Sequence, residues 1–116
     1  MPTREWPLRI QDIIAAIARI QRLTEQKTFE EFEADEAISG AVLYSFIIIG
    51  EAAVNVPLAL QNRYPHIPWR LMGDMINVMA HEYFQVNMVR VWNTIQNHLP
   101  ALVPPLQDLL RSEGIK

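Results

Sequence analysis

The sequence of 116 residues contains no cysteine. This absence excludes disulfide bonds, thiolate zinc sites, iron–sulfur clusters and cysteine nucleophiles. It also fits a reducing compartment, and we expect the protein to be cytoplasmic. Only four glycines are present, and they form neither a phosphate-binding glycine-rich loop nor a Gly-x-Ser-x-Gly turn. The nucleotide-binding and serine-hydrolase motifs that depend on these turns are therefore absent from the sequence.

A targeting or membrane-spanning segment is also not evident. Residues 1–6 carry charges of both signs and no apolar core of a signal peptide. The most apolar run, Ala41 to Ile49, is followed by Glu51 and is shorter than the roughly 20 residues that cross a bilayer. We therefore expect no membrane association.

The sequence has no excess of positive charge, since its formal net charge is −3. This balance argues against a protein that coats nucleic acid by bulk electrostatics. Residues 63–98, however, carry three arginines against two acidic residues and hold all three histidines. An anionic ligand is best sought there. Two interpretations stay open for Arg63, His66, Arg90 and His98, which either face such an anionic ligand or are ordinary solvated side chains.

Helical signals dominate the chain. Apolar residues recur at i, i+3, i+4 and i+7 over residues 7–26. Residues 35–56 are rich in β-branched residues but have no second strand to pair with, so a helix is favoured. A capping box at Thr28 to Glu31 predicts a short turn of helix after it, and proline and capping signals place further helices at 57–63, 68–83 and 87–97. Pro100, Pro104 and Pro105 break and restart a last helix, which ends near Gly114. The sequence predicts one all-α domain over residues 1–116, a bundle of four main helices with short helical pieces.

The segment 35–56 is apolar on most of its sides. A helix of this kind must bury more than one face. In a domain this small, we expect the second face to meet another copy of the chain, which predicts a homodimer.

Four polar residues fall on one stripe of the predicted helix 68–83. Arg70, Asp74, Asn77 and His81 are spaced at i, i+4, i+7 and i+11. The stripe is either a solvated face or a site for an anionic ligand. His81 could act as a general acid or base, although a lone helical histidine is more often structural. The histidine spacing fits no common metal motif, and we expect no metal or cofactor.

Several co-linear motifs then carry a family resemblance. They are Gly50-Glu51-Ala52-Ala53, Pro65-His66-Ile67-Pro68-Trp69-Arg70, Asn77 to Phe84, Val91-Trp92-Asn93 and Leu99-Pro100. The chain resembles the HepT-like HEPN proteins, the toxins of HepT/MntA (type VII) toxin–antitoxin pairs. The resemblance implies a HEPN-type up-down bundle that dimerises. It also implies metal-independent endoribonuclease activity on cellular RNA, with tRNA as one candidate. The implied partner is an MntA-like nucleotidyltransferase antitoxin that neutralises the toxin.

The resemblance also assigns roles to individual residues. Asn77, His81 and Tyr83 match the family motif Arg-Asn-x-x-x-His-x-Tyr, in which the tyrosine is the adenylylation acceptor. Ile76 stands where the family has its arginine. Arg70 belongs to the Pro-Trp-Arg motif and is a candidate contact for the RNA substrate.

Ile76 decides how much activity can be expected. A guanidinium binds a phosphate through two parallel hydrogen bonds that an aliphatic side chain cannot make. Ile76 is either natural to a degenerate member or an inactivating change, and both explanations predict a weak or inactive nuclease. The alternative function is a non-catalytic dimeric module that binds, and is modified by, a partner nucleotidyltransferase.

Overall fold

The computed structural model describes residues 5–81 and 87–115, with side chains for all of these except residues 76–81. Seven helices form within the described residues, which confirms the all-α prediction. They are α1 (Trp6–Thr24), α2 (Phe29–Ala34), α3 (Glu36–Val54), α4 (Leu58–Arg63), α5 (Trp69–His81), α6 (Met88–Asn97) and α7 (Leu99–Ser112).

Helix α3 lies at the centre of the bundle, between α1 and α5. Asp35, the residue before α3, caps the first turn of the helix, because its carboxylate accepts from the amides of Ala37 and Ile38. Val42, Ile49 and other small or branched residues of α3 are fully buried. The isoleucines of α1 fill the other side of this core, because their spacing places them on one face of that helix.

The structure revises one expectation about α3. The helix spans 19 residues with a mean hydropathy of 1.8, which is long and apolar enough to cross a membrane by length and composition alone. The helix predicted over residues 35–56 already had this length, and the run from Ala41 to Ile49 is only its middle part. Glu36 and Glu51 lie on the helix, and both its sides toward α1 and α5 are packed, which is also the arrangement of a core helix in a globular protein.

Helices α2 and α6 begin at the caps that the sequence predicts. The Thr28 hydroxyl accepts from the Glu31 amide at 3.1 Å, and the Glu31 carboxylate accepts from the Thr28 amide at 2.9 Å. This capping box begins α2 and places Phe32, which is fully buried, against the ring of Trp92 on α6. Asn87 caps α6 by accepting from the Arg90 amide.

The prediction that prolines break the last helix is wrong. Helix α7 continues through Pro104 and Pro105 to Ser112. Each proline removes one backbone hydrogen bond from the helix. Four leucines hold the helix together across this region, because all are buried on one face: Leu99, Leu102, Leu106 and Leu109.

Candidate active site

Helix α5 begins where the indole of Trp69 closes the preceding loop. The Trp69 Nε1 donates to the carbonyl of Tyr64 at 3.1 Å, and Ile67 between them is buried. Pro68 then precedes the first helical residue. These contacts explain structurally why the Pro-x-x-Pro-Trp segment ends in a helix with a fixed start.

Helix α5 runs along α3 in the opposite direction. Ala53 and Val54, at the end of α3, share a groove with Trp69 and Arg70, whereas Phe46, two turns earlier, shares a cleft with Met75. The two helices approach closely at Gly73, where an added Cβ atom would lie 3.0 Å from a methyl group of Val54. Beyond Met75, the backbone of α5 therefore continues toward the N-terminal half of α3.

The predicted motif residues fall at the end of α5. The backbone is helical through position 81, so positions 77 and 81 are one turn apart on a continuous helix. The side chains of Ile76, Asn77 and His81 lie outside those that the structure describes. Tyr83 lies outside the described residues altogether, so its predicted role stays a prediction.

Arg70, the predicted substrate contact, is exposed on the first turn of α5. It lines an open groove of about 430 Å³ together with Gln61, Val54 and Asp74. The position is accessible to a ligand and lies on the same helix as the motif. The groove has both apolar and polar walls.

A second, smaller cavity lies on the other side of Asp74, which lines both. We call it the α5–α6 cleft; its volume is about 180 Å³ and it is lined by Phe46, Leu71, Asp74, Met75, Arg90, Val91, Asn93, Thr94 and His98. The sequence offered four candidate contacts for an anionic ligand: Arg63, His66, Arg90 and His98. The structure brings two of them, Arg90 and His98, to one cleft beside α5. Their spacing with Thr94, at i, i+4 and i+8, is the sequence signal that identifies this face of α6.

The remaining members of that set lie elsewhere. Arg63 forms an ion pair with Glu113 at 2.6 Å, and Tyr64 donates to the other oxygen of the same carboxylate at 2.7 Å. His66 lies beside the Tyr64 ring, with centroids 6.3 Å apart. Arg63 therefore connects α4 to the end of α7, and the four residues do not form one surface. This network could not be predicted from the sequence, because its partners are about fifty residues apart.

The network also affects the Tyr64 hydroxyl. The hydrogen bond to Glu113 raises the pKa of Tyr64 above its usual value of 10.0, and partial burial acts in the same direction. Tyr64 is thus a neutral donor to Glu113, which suits a structural role. Among the residues that the structure describes, no three His, Asp or Glu side chains converge to hold a metal ion.

Comparison with known proteins gives the family. The family model described as "Ribonuclease HepT-like" matches residues 13–109. "Probable ribonuclease HepT" of Thermococcus cleftensis is 37% identical over 100 residues, covering 86% of this chain and 91% of that protein. "Putative RNase MJ0127" of Methanocaldococcus jannaschii is 30% identical over 111 residues, covering 96% and 92% of the two chains.

A third relative extends this similarity to a bacterium. "Putative RNase TTE0752" of Caldanaerobacter subterraneus subsp. tengcongensis is 34% identical over 86 residues, covering 74% of this chain and 77% of that protein. No solved structure matches the chain. The matched residues run from α1 to α7 and include all of α5 and the cavities beside it, and the chain therefore belongs to the HepT-like ribonuclease family.

Proposed function

We propose that the protein is the toxin of a HEPN-type toxin–antitoxin pair, an endoribonuclease whose site lies at the end of α5, and that it acts in the cytoplasm. The observation that carries the proposal is the continuous helix through position 81 in a chain that belongs to a ribonuclease family. This helix places Asn77 and His81 one turn apart on the element that also bears Arg70. The RNA target is a cellular RNA, with tRNA as one candidate.

The chemistry needs no metal. The 2′-hydroxyl of RNA attacks the adjacent phosphorus while the bond to the 5′-oxygen breaks, which leaves a cyclic phosphate and a 5′-hydroxyl. A base must accept the 2′-hydroxyl proton, and an acid must donate one to the leaving oxygen. His81 is the residue proposed for proton transfer. Asn77 is proposed to bind the phosphate, with Arg70 contacting the RNA further along.

Ile76 limits this activity. A cation at the site would stabilise the negative charge that develops on the phosphate oxygens, and an arginine does so through its planar fork. Position 76 lies about 140° around the helix from position 81. An arginine there would have to reach round the helix or act on the site of a second copy, so we connect catalysis to dimerisation.

Restoring the arginine tests the proposal. We expect Ile76→Arg to accelerate RNA cleavage on the order of 10³-fold or more, by analogy with arginine residues in phosphoryl transfer. Ile76→Lys is the matched control, because it adds charge without the fork and should recover less. Adding His81→Ala to Ile76→Arg should abolish the gain. Equal cleavage by the Ile76→Arg chain with and without His81 would exclude the assigned role of the histidine.

We propose that two copies meet on an exposed, mostly apolar stripe of α3. The α3 stripe consists of Tyr44, Ile47, Glu51 and Val54, whose spacing places them on one face. Tyr44 is 63% exposed and Val54 is 58% exposed, which is unusual for large apolar side chains of a core helix. Because α5 runs toward the N-terminal half of α3, a second copy on this stripe would lie next to the end of α5.

The proposed partner besides RNA is an MntA-like nucleotidyltransferase, with Tyr83 as the residue that receives AMP. Incubation of the chain with that enzyme and ATP, followed by mass spectrometry, tests this pairing. We expect the mass of one AMP on the peptide that contains Tyr83 and none in a Tyr83→Phe variant. The second candidate function, a non-catalytic module, is favoured by Ile76; it predicts AMP addition without RNA cleavage even after Ile76→Arg.

A further inference from the structure

We propose that the α5–α6 cleft binds one unpaired base of a single-stranded RNA, with the adjoining phosphate at Arg90. This inference rests on the proposed ribonuclease function and adds a substrate subsite to it. The subsite uses side chains of α3, α5 and α6 that the motif does not include.

The walls of the cleft have the chemistry of a base-binding site. Its floor is apolar, since Phe46 and Met75 are each 3% exposed and Val91 is 1% exposed. Its rim is polar and exposed, with Arg90, Asn93 and His98 on one side and Asp74 on the other. An apolar floor with a few polar groups at the edge is typical of sites that bind a flat ring.

The size of the cleft limits the ligand. A volume of about 180 Å³ lies below the roughly 300 Å³ at which pockets for drug-sized molecules begin. The cleft therefore has room for one ring system and excludes a folded peptide or a helix. Single-stranded RNA is recognised by inserting individual bases between apolar, aromatic or guanidinium surfaces.

Charge sets the orientation of the nucleotide. Arg90 of α6 and His98, the residue that follows α6, line one wall of the cleft, whereas Asp74 lies on the α5 wall. A phosphate should therefore lie at the α6 wall, where Arg90 can bind it with two hydrogen bonds. Asn97 donates to the Asn93 oxygen at 2.6 Å, so the Asn93 amide remains a donor for a base or a sugar.

Binding of a fluorescent single-stranded RNA decamer, measured by anisotropy, tests the subsite. All chains carry His81→Ala so that the RNA stays intact. We expect Arg90→Gln to weaken binding about tenfold and to reduce the slope of log K against log salt by about 0.7, the value for one phosphate contact on a single strand. Arg111→Gln is the matched control, since Arg111 is an exposed arginine on α7 that is absent from the cleft lining, and it should bind like the parent.

A second variant blocks the cleft without changing charge. Asn93 is exposed on α6, so Asn93→Trp should leave the fold intact, as circular dichroism would check, and should displace the base. Loss of binding in both Arg90→Gln and Asn93→Trp supports the subsite. Binding of both variants equal to that of Arg111→Gln would overturn it, as would an effect of these variants on nucleotidyltransferase binding alone.

The two proposals fail in different ways. If Ile76→Arg chains cleave RNA while Arg90→Gln leaves their KM unchanged, the subsite is wrong and the ribonuclease function stands. If the decamer binds through the cleft but no chain cleaves RNA, the subsite stands and the catalytic proposal is wrong.

Discussion

At the scale of single residues, Glu113 joins two helices that are distant in sequence. Its carboxylate accepts from Arg63 of α4 and from the Tyr64 hydroxyl. Arg63 is 57% exposed, and exposed ion pairs of this kind stabilise proteins little. The hydrogen bond from Tyr64 is partly buried, whereas the ion pair of Arg63 is exposed. The Tyr64 contact also lies next to the loop that Trp69 closes before α5.

Replacing Glu113 tests this contact. The raised pKa of Tyr64 means that the neutral hydroxyl is favoured in the folded state. Its contribution to stability is therefore complete below the unfolded pKa of 10.0 and disappears as the pH rises through the folded pKa. We expect Glu113→Gln to lower the Tyr64 pKa toward 10.0, as measured by NMR titration of labelled tyrosine.

The matched control for that titration is Asp108→Asn. Asp108 is an exposed carboxyl of α7 that pairs with Arg111, so its removal should leave the Tyr64 pKa unchanged. A Tyr64 pKa that responds equally to both substitutions would show a general charge effect in place of the hydrogen bond.

At the scale of helices, caps explain why the starts of α2, α3 and α6 could be predicted. Thr28, Asp35 and Asn87 each accept from a backbone amide two or three residues later. Such bonds are local, so the sequence alone contains both partners. The end of α7 near Gly114 was predicted, but its continuity through Pro104 and Pro105 was not, because buried leucines that contact other helices outweigh the local effect of the two prolines.

Thr28→Ala should destabilise the fold by about 1 kcal/mol, since it removes the cap of α2. Thr28→Ser retains the hydroxyl and is the control. The measurement is urea unfolding followed by circular dichroism. If Thr28→Ala and Thr28→Ser unfold at the same urea concentration, the cap does not stabilise α2.

The same variant should shift the titration of Glu31. Hydrogen bonds of the Glu31 carboxylate with the Thr28 amide and hydroxyl lower the Glu31 pKa below 4.5. The stability that this carboxylate contributes is present above pH 4.5 and is lost as the pH falls through the folded pKa. We expect Thr28→Ala to raise the Glu31 pKa in an NMR titration; an unchanged pKa would argue against the capping box in solution.

Pro104→Ala should stabilise the protein by about 2 kcal/mol. The substitution restores an amide that can donate to the Pro100 carbonyl. Without the proline the unfolded chain has more conformational freedom, which destabilises the fold, but by less than the restored hydrogen bond stabilises it. Pro100→Ala is the control, because Pro100 lies in the first turn of α7, where the amide has no helical partner. Thermal unfolding measures both, and a lower stability of Pro104→Ala would contradict the packing account of α7.

At the scale of the whole molecule, the fold class followed from apolar spacing, whereas the placement of helices did not. The α3 helix was predicted to need a second partner, and its exposed stripe is where we propose that partner binds, so the dimer stays a prediction. The α5–α6 cleft was not predictable, because Asp74 and Arg90 belong to helices whose contact depends on packing. For the same reason the sequence could not show that Arg63 pairs with Glu113 and does not line this cleft.

We propose that RNA cleavage requires two copies that meet on the α3 stripe. The most direct test is the single-turnover cleavage rate of Ile76→Arg chains that also carry Tyr44→Glu or Val89→Glu, with the oligomeric state followed by sedimentation. Tyr44 and Val89 are 63% and 64% exposed, so the pair is matched in exposure and in added charge. We expect Tyr44→Glu to give a monomer whose cleavage is reduced at least tenfold and Val89→Glu to give an active dimer. A monomeric Tyr44→Glu chain that cleaves RNA at the full rate would contradict it.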